Sequence, residues 1–226
     1  MKSIVVIDTE TTGFSPEEDR VVEIAAVRIE LNGEGYDISS VLHCVVDPQR
    51  TIPASASAVH HLTDADVVDA RTLEQAIEYL DIQASDVLVA HNADFDRGFL
   101  PALKNHEWVC TWKVAQKLLP EAPSFGNQVL RYHLGLNVEG GHGRNGQPHS
   151  AGYDARTTAL LMAHLLSRTS LEDMIGITKS PVMLARMPFG KHKGQAFAEV
   201  PKDYLVWLKG RPDLDRDLRH TLEHHT

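Results

Sequence analysis

The chain has 226 residues, 42% hydrophobic and 23% charged, which suits one medium domain with at most a small appendage and excludes disordered and fibrous classes. Its longest early apolar run, Ile4 to Ile7, stops at Asp8, too short for a membrane span or a signal-peptide core, so the expectation is a cytoplasmic protein with no membrane partner. The net charge of −9 argues against a polyanionic partner until its distribution is seen: residues 1–178 hold 13 basic and 25 acidic residues, a net of −12, whereas residues 179–226 hold 9 and 6, a net of +3. The acidity belongs to the first part, where bound divalent cations would offset it. Cys44 and Cys110 have neither metal nor redox spacing and read as buried thiols.

In chain order, Lys2 to Ile7 is a β-branched run, and Val21 to Ile29 and Val41 to Val46 supply two more strands, with the turn-forming Asn32-Gly33 between them. Thr72 is a plausible N-cap for a helix to Leu80, on which Leu73, Ala76, Ile77 and Leu80 share a face. A buried strand at Val87 to Ala90, a helix from Ala93 to about Leu103, a strand at Trp108 to Thr111 and a helix from Val114 to Leu118 follow. The Gly-rich stretch from Glu139 to Gln147 is a loop, and it leads into a helix from Ser150 to Leu166 whose small and apolar stripe is interrupted by Asp154. Ser180-Pro181 marks a linker, and two short helical patterns end the chain. The pattern predicts an α/β fold: a mixed five-stranded sheet flanked by helices, with residues 1–170 as the main domain and 180–226 as a small module.

Three segments carry chemistry. Asp8 and Glu10, at the expected end of the first strand, are two residues apart and so present their carboxylates on one face. His91-Asn92-Ala93-Asp94-Phe95-Asp96 opens a helix directly after a buried strand, and His149 stands five residues before Asp154 on the inward face of another helix. Each segment alone has an ordinary reading as turn or helix-start acids. Gathering four carboxylates is costly, because one like-charged pair 4 Å apart repels by roughly 4 kcal/mol at an effective dielectric near 20. A divalent cation removes that cost, and all-oxygen ligation without paired Cys or clustered His suits Mg²⁺, with Mn²⁺ as substitute. Two such ions about 4 Å apart stabilise both the attacking and the leaving oxygen in phosphoryl displacement. His149 then serves as acceptor for the proton of the attacking water.

The set Asp8, Glu10, Asp96 and Asp154, with His149, resembles the DEDDh superfamily of 3′-to-5′ exonucleases, which share a ribonuclease-H-like fold; the resemblance covers residues 3 to about 168. It implies that the four acids hold two metal ions, that His149 is the general base, and that 5′-mononucleotides leave from DNA 3′ ends, single-stranded or duplex. Asp94 falls at the variable position of the second motif, and His142 has the wrong distance to Asp154. Similar enzymes hold the terminal nucleotide with residues matching Thr11, Thr12 and Phe14, and Val59 to Thr63 resembles a segment that would place His60 and Leu62 in the same pocket. Asn92 is a further candidate for orienting substrate. Within the superfamily, His91 to Arg97 and the tail Phe189 to Gly194, followed by Pro201, Tyr204-Leu205 and Trp207-Leu208, narrow the resemblance to one branch, and the tail points away from polymerase proofreading subunits and oligoribonucleases. The competing expectations are an exonuclease of RNA 3′ ends, which shares the metal chemistry, and a silent module that binds nucleic-acid ends. Oligomeric state is not encoded in any of these motifs.

Overall fold

The computed structural model describes residues 3–32, 35–39, 41–138 and 146–226. Strand β1 (Ile4–Thr11) opens with four fully buried aliphatic residues, the pattern of a strand covered on both faces. It runs antiparallel to β2 (Val21–Asn32) and parallel to β5 (Val87–Ala90), which pairs in turn with β6 (Glu107–Cys110). The path is β3-β2-β1-β5-β6, a mixed sheet as expected.

It has six strands among the described residues rather than five. Beyond Ile29, β2 continues to Asn32 and pairs with β3 (Gly35–Ile38), while β4 (Leu42–Val45) pairs with the first half of β2 along the same edge. Sequence reading passed over β3 because Gly35, Tyr36 and Asp37 are exposed and show no alternation. Pairing of β2 with β3 reaches Asn32 and Gly35, and Gly33 lies outside the described residues.

The helices follow their local signals. Thr72 and Gln75 form a reciprocal capping box that starts α2 (Leu73–Tyr79), downstream of α1 (Ala54–His60). The helix expected from Ala93 to Leu103 breaks in two: α3 (Ala93–Phe99) stops, and a 3-10 turn covers Pro101–Leu103. Pro101 is the cause, since the residue before proline is pushed out of helical geometry, and Leu100 has φ −117° and ψ 63°. Thr111, expected to end a strand, instead begins α4 (Thr111–Leu118). Two helices went unread, α5 (Asn127–His133) and α7 (Leu171–Lys179), on either side of α6 (Ala151–Leu166). Helix α6 lies against β1 and β2 through Ala151, Ala155 and Ala159, small residues that let helix and sheet approach closely.

The tail, with α8 (Lys202–Lys209) and α9 (Arg216–His225), is packed rather than tethered. Phe197, Leu205, Leu218 and Leu222 share one apolar core with Leu161, Leu165 and Met174. A buried ion pair joins Lys113 on α4 to Asp217 on α9 at 3.1 Å, and Asp217 also accepts the Val182 N–H at 3.0 Å.

Candidate active site

The site arises where β1 outruns its neighbour. Strand β5 pairs with β1 only over Ile4 to Val6, whereas β2 stays paired as far as Thr11. Past Ile7 one side of β1 is therefore left without a strand, and backbone groups there need other partners. Helix α3 supplies one: the N–H and hydroxyl of Thr9 both donate to Asp96 Oδ1, at 3.1 and 2.8 Å. Asp8 and Glu10 alternate to the opposite face from Thr9, and Glu10 sits in register with Glu23 on β2. Asp8 and Glu10 both lie within β1, in the four residues by which it extends beyond the Ile7 end read from the sequence, with Glu10 next to its last residue.

The start of α6 brings the remaining pair. His149 has φ 64°, in the left-handed region, and its N–H donates to Asp154 Oδ2 at 2.8 Å. Ser150 caps the helix by accepting from Tyr153 N, and Asp154 accepts a second bond from Gln128 at 2.9 Å. Ligand-type atoms of Glu10, His149 and Asp154 all lie within 4.8 Å of one another.

The electrostatics are those of a crowded acid cluster. Burial, then the charges of Asp96, Asp154, Glu10 and Glu23, hold Asp8 well above the usual carboxylate range. Burial pushes Asp96 up to about 7 against the opposing Thr9 hydrogen bonds. Asp154 is raised as well, chiefly by burial, with the His149 and Gln128 bonds pulling the other way. In each case the ionised form is penalised by lost hydration or by like charge.

Of the other expected residues, Phe14 is 90% exposed, its ring 6.5 Å from Phe95. Thr11 donates to Gly13 O, while the Thr12 N–H and hydroxyl are both engaged inside the loop, with Arg20 O and Asp19 Oδ1. His60 ends α1 and is buried, its Nδ1 accepting from Leu62 N at 3.0 Å, and Leu62 belongs to a small core with Val22 and Ile52. Asn92 is exposed at the start of α3 in left-handed geometry. Asp94 faces solvent while Asp96 is buried. His142 lies outside the described residues. His91 bridges Thr111 Oγ1 and Phe125 O, and burial lowers it to about 4, so it ties α4 to the segment before α5 as a neutral ring.

Sequence reasoning missed Glu23. It is fully buried, accepts the Ala151 N–H at 3.1 Å through Oε2, and is held through Oε1 by His43 Nε2. The available signal was a lone charge inside the apolar run Val21 to Val27. Asp19 was missed too; it gathers Thr12, Ser15 N and Arg50 and so shapes the loop that displays Phe14.

A six-stranded mixed sheet whose central strand carries Asp8 and Glu10, with helices on both faces, is the architecture of the ribonuclease-H-like exonucleases. The chain belongs to the exonuclease family, whose model matches residues 5–162, and it is a hydrolytic exonuclease. It is 35% identical to Exodeoxyribonuclease 10 of Escherichia coli (strain K12) over 226 residues, 97% of each chain. Among solved structures it is similar to "Exonuclease X in complex with 5' overhanging duplex DNA", with 34% identity and a TM-score of 0.67 over 77% of this chain and 99% of that one. The nuclease domain of 3′hExo, described as a DEDDh family member bound to rAMP, shares the fold at 18% identity and a TM-score of 0.55, covering 74% of this chain and 92% of that one. A second family model, described as "Putative quorum-sensing-regulated virulence factor", matches residues 180–214.

Proposed function

We propose that this chain hydrolyses the terminal phosphodiester bond at DNA 3′ ends and releases 5′-mononucleotides, with His149 as general base beside a divalent-cation site. The observation that carries the reading is the convergence of Glu10 with His149 and Asp154, from two stretches far apart in the chain, on points within 4.8 Å of one another. The likeness to a DNA-bound exonuclease at 34% identity supports DNA as the substrate.

The donor set suits the cation. Asp8, Glu10, Asp96 and Asp154 offer hard oxygen ligands, and around Asp8 burial and then the charges of Asp96, Asp154, Glu10 and Glu23 disfavour ionisation, a cost that a bound cation would offset. When bound, two Mg²⁺ ions would stabilise negative charge on the attacking and leaving oxygens of an in-line displacement, and Mn²⁺ would substitute.

The chain's own residues position and move the proton. His149 takes it from the attacking water as the new P–O bond forms, and the bond from phosphorus to the 3′ oxygen of the preceding nucleotide breaks, that oxygen taking a proton from solvent water to become a fresh 3′ hydroxyl. The bond from His149 N–H to Asp154 keeps base and acid in one rigid turn. Phe14 stacks on or wedges against a terminal base, with Thr11 and Asn92 beside the nucleotide. Thr12, His60 and Leu62 act through the loop and core that support them.

End-labelled single-stranded DNA incubated with Mg²⁺ should shorten stepwise from its 3′ end and yield mononucleotides, matched RNA should be degraded more slowly, and chelator should stop the reaction. Internal cleavage, or turnover that survives chelation, would sink the reading.

A further inference from the structure

Residues 186–211 hold six basic and two acidic residues, in a chain whose first 178 residues are strongly acidic. Within this stretch the turn from Phe189 to Gly194 folds tightly onto α8. Gly190 and Gly194 adopt φ of 76° and 84°, and a Cβ at Gly190 would stand 2.9 Å from the Tyr204 hydroxyl, so the left-handed geometry and the close approach both call for glycine. The turn thereby joins a row of rings. His192 meets Tyr204 edge-on at 4.6 Å, Tyr204 lies 5.3 Å from Trp207, and the Arg211 guanidinium is 6.0 Å from the Trp207 ring. Trp207 is 57% exposed and Phe189 45%, with exposed Lys191 and Lys193 on the turn.

Large aromatics left in water beside lysines are an informative exception to burial. Positive groups that follow a backbone, interleaved with rings on which bases stack, are the means by which proteins hold single strands. We propose that this face of the tail binds single-stranded DNA, with Trp207 and Phe189 as stacking platforms and Lys191 and Lys193 neutralising phosphates. Base pairing hides the faces of bases inside a duplex, so the exposed rings select unpaired nucleotides. The inference rests on the exonuclease reading only in taking DNA as the strand.

The test uses the full chain with fluorescein-labelled oligo(dT) in chelator, read by anisotropy over a range of salt. Trp207→Ala should weaken binding about tenfold, in line with the loss of one base stack, and Trp207→Phe should restore most of it. Lys191→Ala with Lys193→Ala should flatten the slope of log affinity against log salt by about 1.4. All of these variants should hydrolyse the p-nitrophenyl ester of thymidine 5′-monophosphate, a one-nucleotide substrate, at the parent rate with Mg²⁺. Unchanged oligonucleotide affinity and slope would overturn the proposal, as would equal loss of binding and of ester hydrolysis. Failure of the parent chain to cleave the ester or DNA would instead strike the exonuclease reading.

Discussion

His149 sits in left-handed geometry at the edge of a helix, exposed and tied by its own N–H to Asp154, so its imidazole is displayed rather than packed. His149→Ala is expected to lower kcat by about 10²- to 10⁴-fold, the ordinary range for losing a general base, with little change in melting temperature. His142→Ala should leave the rate unchanged, and a comparable loss there would move the base assignment. The acids make a different prediction, on stability. Asp96 holds its proton up to about 7 when folded, against 3.8 for the ordinary group, so the metal-free folded state carries the extra proton between those values. The contribution of Asp96 to the stability of the metal-free protein therefore falls as pH rises from about 4 to 7, because at this group the folded state binds more protons than the unfolded one, and Asp96→Asn should flatten the fall seen in urea denaturation across that range. Asp8→Asn removes one of the mutually repelling charges. It should abolish turnover yet raise the melting temperature in chelator at pH 8, each kcal/mol appearing as about 2–4 °C.

Among the elements, the decisive event is that β1 is longer than β5. The overhang leaves Thr9 to be satisfied by α3 and so fixes Asp96 beside Asp8, while β2 carries Glu23 under the first turn of α6. Glu23 is a positioning residue. Its two oxygens join His43 on β4 to the Ala151 N–H, which lies between His149 and Asp154 in the chain. Glu23→Ala leaves that buried donor unpaired and should cost about 1–3 kcal/mol in urea denaturation, with a fall in kcat larger than any rise in KM. Glu23→Gln keeps an acceptor and should recover most of both. Equal damage from the two variants would mean that the charge, and not the hydrogen bond, is what the site uses.

For the molecule as a whole, the tail and the catalytic part share a core. Leu218 is fully buried in the same cluster as Leu161 and Leu165, and Lys113 and Asp217 pair across the contact. Leu218→Ala should therefore cost about 2–5 kcal/mol and shift one common melting transition seen by both fluorescence and loss of nuclease activity. Two separate transitions, with activity melting as in the parent, would show the tail to be an independent unit.

Much of this was written in the chain. A β-branched run ending in Asp8-Thr9-Glu10, a buried strand followed by Asp96, and a histidine five residues before Asp154 are local signals, legible because each depends on neighbours in sequence. The breaks were less legible: Pro101 divides a helix whose hydrophobic pattern continues through it, and β3 has no buried face to give it a period. Only the folded chain could decide which carboxylates are held by hydrogen bonds and which face water, and only there does Glu23 emerge under the first turn of α6. A lone acid in an apolar strand reads the same whether it is a defect or a buried anchor. The difference lies in partners such as Ala151, 128 residues away, which no local pattern records.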